Sequence, residues 1–304
     1  MSSRHFPLSI ALRCSHVSSA VFSAAMLFPP ACVVLTRTET MDLAALAPSA
    51  RPLGMHCANA VGVALTIPPF TLALTQSPSL LRSNAAQGTT GAVLWSITPH
   101  LARYLLSPRT PFSPLLTSTT TVLELGCGVA AVLAATLGTR VGSYLQSDLA
   151  SMTKLAALNL AANLPPLPRR KPANYHPPDV STIDVDWENT DLPSHPALRT
   201  LGRPLGMVIA SDCVYNEGLV PAFVDTLEAA CKLHRDGDES EAQKTVVLVA
   251  QETRSPDVME CFLTTFMERF VVYRVPDDKL SEELRGEKGY VLHVGILKDD
   301  GRDR

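Results

Sequence analysis

From residue 121 onward, short apolar runs alternate with longer stretches whose apolar positions recur at helical spacing. The short runs are continuous in apolar residues, which is typical of strands buried on both faces of a parallel sheet. Strands that alternate with helices in this way predict a doubly wound α/β sheet. The predicted strands lie at 122–125, 141–148, 180–188, 205–215, 245–254, 270–276 and 289–299, the last two as an antiparallel pair. The predicted helices lie at 129–137, 152–164, 218–234 and 257–270.

A different pattern precedes this region. Residues 70–75 alternate apolar and polar positions, which predicts a strand and favours a hairpin ahead of the main sheet. A helix is predicted next, with a kink or a fresh start at Pro99. Its apolar positions are Leu94, Ile97, Leu101, Tyr104 and Leu105. We predict a disordered or targeting-like tail and linker at 1–60, a hairpin and helix extension at 61–118, and the main domain at 119–298.

The net charge and the cysteine spacing limit the partners, the cross-links and the metal sites that the chain is expected to have. A formal net charge of −3 gives no indication of broad binding to nucleic acid or to an anionic membrane. The 7 cysteines are scattered and never spaced as Cys-x-x-Cys, which argues against a disulfide scaffold and a structural zinc site and fits a reducing compartment. No apolar run approaches the roughly 20 residues that span a bilayer. We expect no metal, no membrane, no direct nucleic-acid contact and a monomer.

The first 38 residues have the composition of a mitochondrial transit peptide. They contain Arg4, Arg13 and Arg37, many serines and no acidic residue before Glu39. An unstructured tail, or an upstream extension with Met41 as the true start, explains the same composition. We expect the cytoplasm, with the mitochondrion as the alternative.

A glycine-rich turn follows the first strand of the main domain. Gly126 and Gly128 would let the backbone approach a ligand at the start of a helix, and their spacing is compatible with an NAD site. Glu124 precedes the turn, and a carboxylate at the end of a buried strand needs a polar partner, such as the cationic group of a ligand. Asp148 ends the second strand, where an acid accepts hydrogen bonds from ribose hydroxyls. A ribose, a cation and no pyrophosphate favour S-adenosylmethionine over NAD or an empty turn.

The fourth strand ends in "SDCVYNE". Asp212 lies at its end and Tyr215 just beyond. The chain contains no Asn-Pro-Pro-Tyr sequence, the usual signature of methylation at a nucleobase or glutamine amide nitrogen. An acid with a nearby phenol suits an amine that arrives as an ammonium ion. The alternative is that Asp212 caps the following helix.

Together these motifs resemble a known family. The ELGxG pattern, the acid closing strand two, the Trp after strand three and the DxxY after strand four resemble the seven-stranded protein-lysine N-methyltransferases of methyltransferase family 16. The segments "SLLRSNAAQGTTGAVLWSITP", "VDWE", "SDCVYNEGLVPAFVDTL" and "FVVYRV" resemble its fungal ribosomal-protein lysine N-methyltransferase branch. The resemblance covers roughly residues 65–297. It implies a Rossmann-like seven-stranded sheet, mostly parallel with the last strand antiparallel, and S-adenosylmethionine as cofactor.

The resemblance also implies roles for individual residues. Asp212 and Tyr215 would orient the lysine amine of a protein substrate, which the branch makes a ribosomal protein. Asp148 would bind the cofactor's ribose and Trp187 would flank its adenine. The remaining cofactor-binding residues that the resemblance implies are Trp95 above the cofactor, Gly126, Cys127 and Gly128 beneath its methionine and ribose, and Ser211 beside it. Glu124 is a further candidate, which comes from the charge argument and not from the resemblance.

Three features depart from the family pattern and leave rival hypotheses open. Leu149 follows Asp148 where the branch often has a polar residue, the proline-rich stretch 165–179 is unusual, and the N-terminal tail has no counterpart. The rivals are methyl transfer to another protein such as a translation elongation factor or chaperone, an NAD-dependent oxidoreductase, and a pseudo-enzyme that binds the methyl donor without turnover.

Overall fold

A computed structural model describes residues 33–34, 54–83, 88–165, 177–233 and 244–299. Most of the predicted tail and the core of the proline-rich stretch lie outside these ranges. The strands are β1 Val33–Val34, β2 Gly62–Ile67, β3 Phe70–Thr75, β4 Thr121–Leu125, β5 Ser143–Asp148, β6 Val180–Asp184, β7 Met207–Ser211, β8 Val246–Glu252, β9 Phe270–Arg274 and β10 Tyr290–Leu297. The α-helices are α1 Pro78–Leu81, α2 Ile97–Leu106, α3 Val132–Leu137, α4 Ala150–Asn163, α5 Pro196–Arg199, α6 Val220–Lys232 and α7 Pro256–Arg269.

The main sheet confirms the predicted fold class. Its strand order is β1-β9-β10-β8-β7-β4-β5-β6, and the five strands from β8 to β6 run parallel. β10 is antiparallel to both β8 and β9, so the last two strands form the predicted antiparallel pair. β1 adds an antiparallel edge strand beside β9, within the region that the sequence assigns to the tail. The carboxyl ends of β4, β5 and β7 therefore meet at one edge of the sheet.

Several element boundaries differ from the sequence prediction. The helix predicted at 129 begins at Val132, because the glycine turn continues through Ala131, whose φ of 54° is left-handed. Leu94 lies before α2, which begins at Ile97. Pro99 lies in the first turn of that helix, where backbone N–H groups have no intrahelical partner, so the proline is accommodated there. The third strand ends at Asp184, which leaves 185–188 in a loop.

The N-terminal extension forms the predicted hairpin, with β2 and β3 antiparallel. Two asparagines one turn apart on α4 bind its edge. Asn159 exchanges two hydrogen bonds of 2.8 Å with the backbone of Thr75, and Asn163 does the same with Ala73 at 2.8 and 3.0 Å. Asn159 also donates to the carbonyl of Val129 at 2.7 Å. The two side-chain amides pair with backbone groups that a neighbouring strand would otherwise bind, and Asn159 connects the hairpin to the glycine turn.

Two apolar layers cover the faces of the sheet. Val122 belongs to one layer, with Leu101 and Leu133 of the helices above it. Leu123 belongs to the other, with Phe223 and Phe262. This alternation is why a strand buried on both faces is continuously apolar. No helix among the described residues is long and apolar enough to cross a membrane.

Candidate functional site

A cavity of about 790 Å³ opens at the carboxyl ends of β4, β5 and β7. Open parallel sheets bind ligands at this edge, and the volume is in the range of small-molecule sites. All the site residues predicted from the sequence line it: Trp95, Glu124, Gly126, Cys127, Gly128, Asp148, Trp187, Ser211, Asp212 and Tyr215.

The glycine turn needs its glycines for both conformation and space. Gly126 and Gly128 have φ values of 70° and 60°. A Cβ on Gly126 would lie 2.5 Å from Cys213 Sγ, and one on Gly128 would lie 2.9 Å from the carbonyl oxygen of Gly91. Any side chain at either position would therefore strain the backbone and collide with the cavity wall.

The segment from Gly88 to Thr98 forms one side of the cavity and is attached to the glycine turn. Val129 N–H donates to the Gly91 carbonyl at 2.8 Å. The Trp95 indole N–H donates to the Thr90 carbonyl at 3.0 Å, which orients the ring. This segment is the part of the N-terminal extension that contributes directly to the cavity.

Asp148 lies at the end of β5, where two backbone groups hold its carboxylate. Its Oδ2 accepts from Gly128 N–H and its Oδ1 from Leu149 N–H, both at 2.7 Å. Burial raises the pKa of Asp148 to about 6, although both hydrogen bonds oppose the rise. The group is therefore largely ionised at neutral pH, and each oxygen keeps acceptor capacity for a hydroxyl.

Glu124 lies on β4 at the inner wall of the cavity and is only 2% exposed. Tyr144 O–H donates to its Oε2 at 2.8 Å. Burial raises the pKa of Glu124 to about 8; the Tyr144 hydrogen bond opposes this rise and the charge of Asp148 adds to it. Among the described residues no cationic side chain lines the cavity, so the positive partner expected from the sequence would have to come from a ligand.

This raised pKa predicts a pH dependence of stability. Glu124 keeps its proton in the folded chain up to about pH 8, whereas it ionises near 4.5 when unfolded. Its contribution to stability is therefore complete below pH 4.5 and is lost as the pH rises through 8. We expect the free energy of unfolding, measured in urea without ligand, to fall by about 2 kcal/mol between pH 6.5 and 8.5. Glu124→Gln should remove most of this slope.

The pH window separates Glu124 from other buried groups. Asp148, with a pKa of about 6, has largely titrated by pH 6.5. Burial lowers the pKa of His293 to about 3, so its contribution is lost only as the pH falls below its unfolded value near 6.5. An undiminished slope in Glu124→Gln would assign the titration to a different group and contradict the prediction.

Asp212 is paired with a residue that the sequence analysis missed. The Arg254 guanidinium donates Nη1 to Asp212 Oδ1 at 2.8 Å and Nη2 to Oδ2 at 2.5 Å. Nη2 also donates to Glu252 Oε2 at 2.8 Å, and Glu252 N–H donates to Asp212 Oδ1 at 3.3 Å. A carboxylate has about four lone-pair sites, and these contacts fill three of them. The sequence "QETR" contained a signal for this pairing, because Arg254 follows a strand that ends in the acid Glu252.

The structure contradicts the alternative hypothesis that Asp212 caps the next helix. Asp212 lies in a left-handed bend with φ of 61°, and its N–H donates to the Ala250 carbonyl at 2.7 Å. Asn216 is the residue that caps the following turn, accepting from Gly218 N–H at 3.0 Å. The bend therefore serves to place Asp212 against the cavity and Arg254.

Hydroxyl groups surround the same end of the cavity. The Ser211 and Thr98 hydroxyls are 2.9 Å apart, joining β7 to α2. Tyr215 is 40% exposed at the rim. Burial of its ring raises the pKa of Tyr215, and its hydrogen bond to Thr90 opposes the rise. The phenol is therefore neutral at physiological pH and able to donate or accept a hydrogen bond at the cavity mouth.

Trp187 lies in the loop after β6 and lines the cavity. Its ring packs 4.8 Å from the ring of Phe223 and borders the turn at Gly126. Nearby Asp186 holds its own loop, accepting from Glu188 N–H at 3.0 Å and from the Asn189 amide at 3.0 Å. The loop thus presents a flat aromatic surface in a fixed position.

Comparison with known proteins connects the site to a family. A family model described as lysine methyltransferase matches residues 75–268. A protein of Eremothecium gossypii named ribosomal lysine N-methyltransferase 5 is 29% identical over 261 residues, 70% of this chain and 81% of that protein. Its namesake in Zygosaccharomyces rouxii is 29% identical over 259 residues, 73% and 79% of the two chains.

One relative has a different name. A protein of Schizosaccharomyces pombe named diaminohydroxyphosphoribosylamino-pyrimidine deaminase is 27% identical over 230 residues, 76% of this chain but only 50% of that protein. Zinc-dependent nucleobase deaminases bind their metal through a Cys-x-x-Cys pair, which is missing from this sequence. The described residues also contain no cluster of His, Cys, Asp or Glu suited to a metal ion.

Proposed function

Since the chain belongs to the lysine methyltransferase family, we propose that it transfers a methyl group from S-adenosylmethionine to a lysine side chain of a ribosomal protein. The proposal assigns the donor to the half of the cavity between Glu124 and Trp187. It assigns the acceptor to the half that contains Asp212 and Tyr215. The roles of individual residues follow from these two assignments.

The charge of the cavity is the observation that carries the proposal. In the part of the chain that the structure describes, the lining contains no Lys, Arg or His and has these carboxyl groups: Glu124, Asp148, Asp186, Glu188 and Asp212. S-adenosylmethionine carries a sulfonium and an ammonium group, and a lysine acceptor arrives as an ammonium ion. NAD carries a pyrophosphate, which this lining would repel. The cavity therefore favours two cationic reactants over a dinucleotide.

The donor half offers a separate contact for each part of S-adenosylmethionine. Asp148 would accept from the ribose hydroxyls with the lone pairs that Gly128 and Leu149 leave free. The Trp187 ring would lie against the adenine. Glu124 would face the cationic methionine end, where a positive charge lowers the pKa of the buried carboxyl. Trp95, Cys127 and Ser211 would complete the walls.

When bound, S-adenosylmethionine supplies a methyl group on a positively charged sulfur that a neutral amine can displace. The lysine ammonium would give a proton to solvent. The resulting amine would then bond to the methyl group as the bond between methyl and sulfur breaks, which leaves S-adenosylhomocysteine. The chain's contribution is positioning and exclusion of water. Asp212 and the Tyr215 phenol would orient the lysine nitrogen, and burial of that nitrogen in the cavity would lower its pKa.

A ribosomal acceptor is supported by the names of the relatives and by charge. Ribosomal lysine N-methyltransferase 5 is the name shared by the two relatives that match about 80% of their length. A weakly acidic chain with an acidic cavity suits a basic protein. We propose that the chain acts in the cytoplasm as a monomer, where ribosomal proteins are accessible.

The test uses labelled S-adenosylmethionine with two acceptor pools from Eremothecium gossypii cells that lack their own ribosomal lysine N-methyltransferase 5. One pool is salt-washed ribosomes and the other is ribosome-depleted extract of the same cells. We expect label in a ribosomal protein, placed on one lysine by mass spectrometry. Label confined to the depleted extract would replace the acceptor with another protein. Donor binding without transfer to either pool would indicate a non-catalytic binding protein, and binding of NAD alone would contradict the whole proposal.

A further inference from the structure

Arg254 lies behind the cavity wall and contacts one residue assigned to each half of the cavity. Its guanidinium fork holds both oxygens of Asp212, whose side chain is fully buried. The same group lies 4.6 Å from the centroid of the Trp95 ring. One cationic side chain therefore contacts both the proposed acceptor residue and the aromatic residue assigned to the donor half.

The surroundings leave Arg254 little freedom. Glu252 accepts from its Nη2 on the side away from Asp212. The backbone of Gly54 covers this pair so closely that a Cβ there would lie 1.7 Å from Glu252 Oε2. Gly54 is itself held by Ser96 N–H, which donates to its carbonyl at 2.6 Å. Burial alone would lower the pKa of Arg254, but the hydrogen bonds and charges of Asp212 and Glu252 raise it.

The contacts of Arg254 require the planar, forked geometry of a guanidinium group. Two parallel hydrogen bonds to a carboxylate fix its plane, and a flat cation stacks on an indole face. A lysine ammonium would keep the charge but would provide neither the fork nor the flat surface. Replacing Arg254 with lysine therefore tests the geometry of the guanidinium separately from its charge.

We propose that Arg254 is a positioning residue for methyl transfer, which holds the Asp212 carboxylate and the Trp95 ring in one fixed relation. This inference rests on the proposed function for its effect on turnover. Arg254 does not line the cavity, so it acts through the two residues it contacts. Its removal should therefore disturb turnover more than donor affinity.

The experiment compares Arg254→Lys with the matched control Arg269→Lys. Arg269 also pairs with two acids, Asp225 and Glu228, but lies on the surface at the end of α7. The chain has only 2 tryptophans, so Trp187→Phe leaves Trp95 as the single tryptophan, whose fluorescence is excited at wavelengths that tyrosine does not absorb. In that background and without ligands, we expect acrylamide quenching of Trp95 to at least double with Arg254→Lys and to stay constant with Arg269→Lys.

With Trp187 intact, kcat on the ribosomal acceptor should fall about tenfold in Arg254→Lys, with a smaller change in KM for the donor. Guanidinium at a concentration well below denaturation should restore turnover to Arg254→Gly, and ethylammonium should not. Unaltered quenching together with a kcat equal to that of Arg269→Lys would overturn the proposal, even if the melting temperature fell. The quenching measurement needs neither donor nor acceptor. It therefore still decides whether Arg254 holds Trp95 if the wild-type chain transfers no methyl group.

Discussion

Replacing Asp148 with alanine is expected to weaken S-adenosylmethionine binding by at least about 10²-fold. The substitution removes the acceptor for two ribose hydroxyls, and hydrogen bonds to a charged group contribute about 1.5–3 kcal/mol each. It also leaves the N–H groups of Gly128 and Leu149 without the carboxylate that each now contacts at 2.7 Å. Asp148→Asn should be nearly as damaging, because one of those N–H groups would then face an amide donor.

The measurement is calorimetric titration with S-adenosylhomocysteine, which has the same ribose. Asp184 provides a matched control, because it pairs in register with Asp148 on the neighbouring strand but does not line the cavity. Its carboxylate accepts from the Thr153 hydroxyl. Asp184→Ala should lower the melting temperature with little effect on affinity. Equal affinities for Asp148→Ala and the wild type would remove Asp148 from the donor site.

Asp212→Asn is expected to reduce the single-turnover rate of methyl transfer on the order of 10²-fold, or about 3 kcal/mol, through misplacement of the acceptor amine. The amide can satisfy only one arm of the Arg254 fork and presents a donor to the other. Tyr215→Phe should reduce the same rate by a smaller factor, since Tyr215 is at the exposed rim. Donor affinity should change little in either variant, because Asp148 and Glu124 are untouched.

The alternative is that Asp212 and Arg254 form an ion pair of purely structural value. A buried pair that loses one charge destabilises the fold by roughly 3–5 kcal/mol, so a lower melting temperature is expected on either account. The rate at a temperature where the variant remains folded separates the two. A normal rate there, with normal affinity for S-adenosylhomocysteine, would confine the functional site to the donor residues.

Much of the fold and the position of the cavity could be predicted from the amino-acid pattern. Continuous apolar strands bury both faces, so alternation with helices was enough to predict the sheet and its antiparallel end. Residues at strand ends, such as Glu124, Asp148 and Asp212, could be brought together in advance because parallel strands end at one edge. The resemblance to a family added Trp95 and Trp187, which composition alone would place in the core.

Only the tertiary structure decided which polar groups meet. Asp212 and Arg254 are 42 residues apart, and Asn159 binds the hairpin at Thr75, 84 residues away. The hydrophobic periodicity of a sequence indicates which face of a helix or strand is buried. It does not indicate which side chain from a distant part of the chain packs against that face. For the same reason the sequence predicted only that Glu124 needs a polar partner. The folded chain supplies the Tyr144 hydroxyl as that partner, and burial raises the pKa of Glu124 to about 8 although this hydrogen bond opposes the rise.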